Sequence, residues 1–326
     1  MFTEEITKVG YISRSVPTDK DLKTLILELK KEKNAVILAH YYVNPDIQAL
    51  ADVVGDSLAL AHAAKKTNAD IILFCGVHFM AETAKILNPN KKVLLPDLNA
   101  GCSLADSTPA EDFEAFKAAH PGAVVVSYIN CSAEVKAMSD IICTSSNAVD
   151  IVNSIPLDKK IIFAPDKNLG TYVSKVTGRD MILWEGACVV HVNISLDKLK
   201  ALQLKYPDAE LIAHPECETE ILELASFIGS TKALIDYAQE STNEVFIVAT
   251  EAGILYKMRE LMPNKLIIPA PALETNSCAC SECPYMKMNT LEKVYNALYY
   301  ELPEIQLDKA IIKKAAIALE NMIAVK

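Results

Sequence analysis

Short apolar runs alternate along this chain with longer stretches whose apolar residues fall at helical spacing, and the runs come in sets of four that recur three times. AVILAHYY, AVVVSYIN and ELIAHPE open the three copies and reach His40, Tyr128 and His214, which stand 88 and 86 residues apart. ADVVGDS, SDIICTS and ASFIGST follow, ending at Ser57, Ser145 and Thr231, each 17 residues beyond its counterpart in the first set. ADIILFCG, KKIIFAPD and NEVFIVAT make the third set, and KKVLLPD, RDMILWEG and NKLIIPAP the fourth. The fourth runs lead into irregular segments carrying Cys102, Cys188 and Cys283, which are 86 and 95 residues apart. The longer spacing places an insertion of about nine residues in the third copy, at SCACSEC.

Between the runs the spacing predicts helices over 57–66, 80–87, 111–119, 196–205 and 232–239. Thr108-Pro109-Ala110-Glu111 reads as a capping box with proline at the first helical position. Strands that alternate with helices imply parallel sheets built from βαβ units, and continuous rather than alternating apolar runs imply helices on both faces. The predicted fold is α/β: three pseudo-threefold-related αβα (Rossmann-like) layers, each with a four-stranded parallel sheet, around a central site. The copies divide the chain at 1–108, 109–192 and 193–289, with helices in 290–326 packing near the first copy.

Composition adds limits. The chain has 326 residues, 51% hydrophobic and 23% charged, with a formal net charge of −10. That is ample apolar material for large cores, and the acidic balance without a Lys/Arg-rich run argues against a nucleic-acid partner. The first residues lack a basic segment followed by an apolar one, and no apolar stretch reaches about 18 residues, so no membrane partner and a cytoplasmic location are expected. Nine cysteines in a reducing compartment point to metal binding or catalysis before a disulfide framework.

Ligands of open parallel sheets bind beyond the carboxyl ends of the strands, where each set of equivalent residues falls. Ser57, Ser145 and Thr231 are expected at strand ends directly before helices, where hydroxyl and free N–H groups hold a carboxylate or phosphate; the plainer reading of each alone is an N-cap. His40, Tyr42, Tyr128, Asn130, His191, His214 and Glu216 form a polar set emerging from apolar strands. His214 and Glu216, two residues apart, suit acid and base roles. His62, His78 and His120 are read as structural. Cys75, Cys131, Cys143 and Cys217, in or beside apolar strands, are read as small buried hydrophobes.

Cys278-x-Cys280-x-x-Cys283 alone fits zinc, an iron–sulfur cluster or a thiol switch. The threefold placement of Cys102, Cys188 and Cys283 favours three thiolates holding three irons of a [4Fe–4S] cluster, the fourth iron being open to a substrate oxygen as a Lewis acid. His191, three residues after Cys188, keeps a zinc site in view.

AHYYVNPDIQALADVVGDSL, FCGVHFMAETAKILNP, PDLNAGCSLAD, ICTSSNAV, FAPDKNLG, GACVVH, AHPEC, FIGST and CPYMKMNTLEKV are ordered blocks in which the chain resembles the quinolinate synthase family along nearly its whole length. The resemblance implies three αβα domains in a triangle, a [4Fe–4S] cluster near their common axis, and condensation of iminoaspartate with dihydroxyacetone phosphate to quinolinate, phosphate and water, which feeds NAD synthesis. It also implies a supplier of iminoaspartate, an L-aspartate oxidase or dehydrogenase, as functional partner. Family cluster ligands fall on Cys102, Cys188 and Cys283. The family's substrate pocket falls on His40, Tyr42, Ser57, Tyr128, Asn130, Ser145, His191, His214, Glu216 and Thr231, lined by Phe79 and Met80. Glu216 with His214 is expected to move protons, Tyr42 and Tyr128 to position or protonate leaving oxygens, and Ser57, Ser145 and Thr231 to anchor carboxylates or the phosphate. Family members with a long third loop often carry C-x-x-C-x-x-C, which this chain does not; Cys283 is chosen because PYMKMN follows it directly, and Cys280 remains an alternative. A non-redox iron–sulfur hydro-lyase and a metal or redox sensor are the rival classes.

Overall fold

The structure, a computed structural model, describes residues 2–273 and 281–325. Among these residues twelve strands form three four-stranded sheets, all parallel. The first sheet holds β1 (Ala35–His40), β2 (Val53–Gly55), β3 (Ile71–Cys75) and β4 (Lys92–Leu94). The second holds β5 (Val124–Tyr128), β6 (Ile141–Cys143), β7 (Ile161–Ala164) and β8 (Ile182–Leu183), and the third β9 (Glu210–Ala213), β10 (Phe227–Ile228), β11 (Val245–Ala249) and β12 (Leu266–Pro269). The spatial order is the same in each: second strand, first strand, third strand, fourth strand. The first strand therefore has neighbours on both sides, and the chain reverses its direction of winding beside it. His40, Tyr128 and His214 stand at or one residue past the ends of these first strands, at the point where parallel sheets open a crevice.

Helices Ser57–Lys66, His78–Leu87, Ala110–Ala118, Leu196–Lys205 and Thr231–Glu240 match the five predicted spans within two residues. The capping box at Thr108 is not formed. Pro109 takes the N-cap position without a side-chain bond, and the buried Thr108 hydroxyl has no hydrogen-bond partner. Pro109 is extended, with ψ at 137°, so the helix begins one residue later and Thr108 stands one residue too early to reach its first turn.

Packing joins the layers unequally. One core runs through the first and second sheets, from Leu38 and Leu73 to Val126 and Phe163, and continues into Ala315, Leu319 and Met322 of the helix Lys309–Ala324. That helix lies against Ala133–Met138, β6 and His78–Leu87, while Leu291–Tyr300 lies against Leu22–Glu32. The third sheet has a separate core on each face, and Tyr41 of the first layer is buried in one of them. Strands buried on both faces explain why the runs read as continuous apolar segments.

Gly186, two residues before Cys188, bridges to Asp166, and a methyl group there would run into the Pro165 carbonyl and the Ser107 hydroxyl. A backbone oxygen cannot swing aside, so Gly186→Ala is expected to cost about 1–3 kcal/mol, read as a lowered urea midpoint with an unchanged slope.

Candidate active site and metal centre

The same backbone hydrogen bond closes all three layers beside the third strand. His78, Lys167 and Ala252 donate their N–H groups to the carbonyls of Ala100, Gly186 and Ser281, at 2.7, 2.8 and 3.1 Å. Each acceptor stands two residues before a cysteine. Cys283 thus occupies the position equivalent to Cys102 and Cys188; Cys278 and Cys280 lie outside the described residues.

The three cysteines face one cavity, with about 70 Å³ open to the centres of water-sized molecules. All ten polar residues singled out from the sequence, from His40 to Thr231, line it, as do Phe79 and Met80. His62, His78 and His120 do not; His78 lies beside Glu82 at 3.4 Å, and His120 packs on Phe116. Cys75, Cys131, Cys143 and Cys217 are fully buried in the layers.

The second set departs from its expected symmetry. Ser57 and Thr231 are the first residues of their helices, because Asp56 and Ser230 take the N-cap bonds to Ala59 and Ala233. Their hydroxyls are consequently spared that duty. Ser145 does not adjoin a helix: Asn147 Oδ1 accepts from the Thr144 N–H at 2.8 Å, closing a turn that delays the helix to Ala148–Ser154. Two helix ends rather than three therefore face the cavity beside a hydroxyl that makes no cap bond.

A run of close polar contacts crosses the cavity wall through all three layers. The Tyr42 hydroxyl lies 2.8 Å from the Thr231 hydroxyl and 3.1 Å from that of Thr250, which in turn lies 2.9 Å from His191 Nε2. Glu216 Oε2 sits between His191 Nδ1 at 3.1 Å and His214 Nδ1 at 3.2 Å, and His214 Nε2 lies 3.1 Å from the Ser145 hydroxyl. The two imidazole rings stack with centroids 4.9 Å apart. His191 Nδ1 is close to Glu216 but out of hydrogen-bond line, so it counts as unpartnered, together with Glu216 Oε1 and Asn130 Oδ1. Buried polar atoms without partners are rare and call for a ligand or water.

Burial dominates the protonation states. It holds His191 down to about 4 and His40 down to about 3, the latter helped by His214, so both rings are neutral near pH 7. Burial alone would raise Glu216; His191, His214 and the Tyr128 hydroxyl outweigh it and keep the carboxyl below its ordinary range. The phenols of Tyr42 and Tyr128 are pushed up by burial and stay protonated. Glu251 is raised to about 7 by burial against the pull of Lys287, and Asp166 is raised by burial and by Glu216.

Metal chemistry fits these residues. Burial pushes the Cys102 thiol up to about 12 and raises Cys188 and Cys283 as well, so a thiolate at any of them requires a nearby cation. Cys188, His191 and Glu216 also bring ligand atoms within 4.8 Å of one another.

Residues 24–324 match the family model described as Quinolinate synthetase A protein. This chain belongs to the quinolinate synthetase A family. Proteins named quinolinate synthase are similar to it over nearly the full length. That of Rippkaea orientalis is 61% identical over 303 residues, 93% of each chain. The Gloeothece citriformis protein is 61% identical over 323 residues, 99% of each chain, and that of Chloroherpeton thalassium 58% identical over 303 residues, 93% of this chain and 94% of the relative. The family is one of enzymes. Asp56, Thr250, Asp166 and Glu251 contribute to the site or its support although they were not singled out from the sequence. Asp166 and Glu251 could have been found by the rule that found His40, since each follows an apolar run with a polar group.

His40 and His191 give the fold a defined acid sensitivity. From pH 6.5 down to about 4 the unfolded chain takes up protons on both rings and the folded chain does not, so acid favours unfolding. Stability of the metal-free protein is expected to fall as pH falls through this window. His191→Gln should flatten the slope of denaturant midpoint against pH there and leave it unchanged above pH 7.5.

Proposed function

We propose that this chain condenses iminoaspartate with dihydroxyacetone phosphate to quinolinate, phosphate and water at the cavity between the three layers; the name quinolinate synthase carried by its relatives supports the product. The observation that carries the reading is the convergence of three structurally equivalent cysteine loops on a cavity whose polar wall includes the Glu216 carboxylate, the imidazoles of His40, His191 and His214 and the protonated phenols of Tyr42 and Tyr128. Cys102, Cys188 and Cys283 hold a [4Fe–4S] cluster, which when bound supplies an open iron as Lewis acid for substrate oxygens and loss of hydroxide. In this reading the layers fall at 1–108, 109–192 and 193–289.

Glu216 is ionised and has an oxygen free of protein partners, which suits it to take a proton from a substrate carbon. His191, held neutral by burial, and His214 lie on either side of its other oxygen, fix its orientation and receive or return the proton. Tyr42 and Tyr128 keep their protons and donate hydrogen bonds to leaving oxygens. Ser57 and Thr231 add hydroxyls to the N-terminal N–H groups of ten-residue helices, where the helix dipole favours a carboxylate or phosphate. Ser145, backed by His214, and Asn130, with its unpartnered oxygen, complete the substrate contacts.

The product is a precursor for NAD synthesis, and an L-aspartate oxidase or dehydrogenase supplies the unstable imine. No helix among the described residues is long and apolar enough to cross a membrane, and we place the reaction in the cytoplasm.

The first test is iron and sulfide content of protein purified without oxygen. About four of each per chain, depleted in Cys283→Ser, is expected; stoichiometric zinc without sulfide, indifferent to that substitution, overturns the cluster and favours the Cys188, His191 and Glu216 group as a mononuclear site. With the cluster intact, Glu216→Gln is expected to lower kcat by about 10²- to 10⁴-fold with both substrates present. Full turnover in that variant refutes the base assignment, and turnover without the phosphorylated substrate points to a hydro-lyase instead.

A further inference from the structure

The repeated N–H to carbonyl bond pins each cysteine loop two residues before its thiol, and in two layers a second bond pins the cysteine itself. Asp166 lies two residues past the end of β7 and Glu251 two past the end of β11, so they are structural equivalents. Both side chains are buried, at 0% and 1% exposure. Asp166 Oδ1 accepts from the Leu169 N–H at 2.7 Å, and Oδ2 accepts from the Cys188 N–H at 3.3 Å. Glu251 repeats the division: Oε2 accepts from the Gly253 N–H at 2.6 Å and Oε1 from the Cys283 N–H at 2.9 Å. In the first layer the equivalent residue is Val77, which offers Cys102 no acceptor.

We infer that Asp166 and Glu251 are positioning residues for the metal centre, each a strut that fixes a ligand cysteine to the end of a central strand through both oxygens of one carboxylate. The inference rests on the reading of Cys188 and Cys283 as cluster ligands. Its chemical basis is the need for two acceptors on one rigid plane. One oxygen is consumed by the chain segment that follows the strand, and only the other is left for the cysteine amide. An asparagine or glutamine has a single acceptor oxygen and turns an NH₂ group toward the second N–H, which breaks one of the two bonds and leaves a buried donor unpaired. Two carboxylates of different length, arising in separate copies of the repeat, make the same pair of bonds. An ordinary helix cap needs only the first of them. The bond to the cysteine orients the residue that carries the ligand atom, and contacts of this outer kind govern how firmly a metal is held.

The layers consequently hold their thiols with unequal stiffness. Cys188 and Cys283 are braced at the residue itself, while among the described residues Cys102 is held through Ala100 and its own short helix, Ser103–Asp106.

The test compares wild type, Asp166→Asn, Glu251→Gln and the double variant after anaerobic reconstitution with iron and sulfide. Iron release to EDTA is measured alongside the electron paramagnetic resonance signal of the reduced protein and the melting temperature of the metal-free form. Each single variant is expected to release iron roughly tenfold faster than wild type, with an altered resonance signal, and the double variant faster still. Wild-type release rates and an unchanged signal in folded variants overturn the inference, as does a lowered melting temperature with unchanged release, which marks a purely structural cap. If Asp166→Asn does not fold, Glu251→Gln decides alone. A wild-type protein that takes up no iron and sulfide refutes the cluster reading, and the inference falls with it; a loaded wild type with indifferent variants refutes the inference alone.

Discussion

One backbone hydrogen bond, made three times, sets the geometry on which the rest of the molecule depends. The N–H just past the third strand in each layer can find its carbonyl only if the loop from the fourth strand folds back over the sheet edge. Main-chain groups make this bond, so it survives the divergence of side chains among the three copies. It also fixes the cysteines in sequence register with the sheets, and the cavity follows from where the three sheet ends meet. A satisfied backbone is an obligation in any buried segment; here that obligation delivers three thiols to one place.

Inside the cavity, low polarizability of the surroundings decides which groups carry charge. Two imidazoles are held neutral and two phenols protonated, while the Glu216 carboxyl is kept below its ordinary range, close to two imidazole nitrogens. The arrangement concentrates base character at one oxygen pair and surrounds it with groups able to share a proton. Thr250 extends that reach toward Tyr42 without itself lining the cavity, so residues from all three layers communicate through hydroxyl groups 2.8 to 3.1 Å apart.

Much of this was legible in the order of residues. Strands buried on both faces left continuous apolar runs, and a polar residue at the end of such a run could be noticed because nothing in a core explains it; His40, Tyr128 and His214 were readable for that reason. Constant spacing exposed the three copies. Local side-chain choices were less visible. Pro109 displaced the cap expected of Thr108, and Asn147 closed a turn that separated Ser145 from the helix to which its register assigned it. Thr250 was hidden because a threonine after a strand is unremarkable until its two partners, 59 and 208 residues away in sequence, are seen beside it. Asp166 and Glu251 end apolar runs as His40 does, yet their partners are main-chain amides, which leave no trace in composition.

The departures from threefold symmetry have a stereochemical consequence. Identical walls around a threefold axis would present the same face in three orientations, and a small flexible ligand could turn among them. The walls here differ: an imidazole with a phenol on the first layer, a phenol with an amide on the second, and an imidazole with a carboxylate on the third. Three unlike contacts are the minimum needed to tell apart the two faces of a trigonal carbon or two like groups on one carbon. Divergence of the copies thus lifts the threefold rotational degeneracy of the cage, so that a ligand whose ends look alike is held in one orientation rather than three.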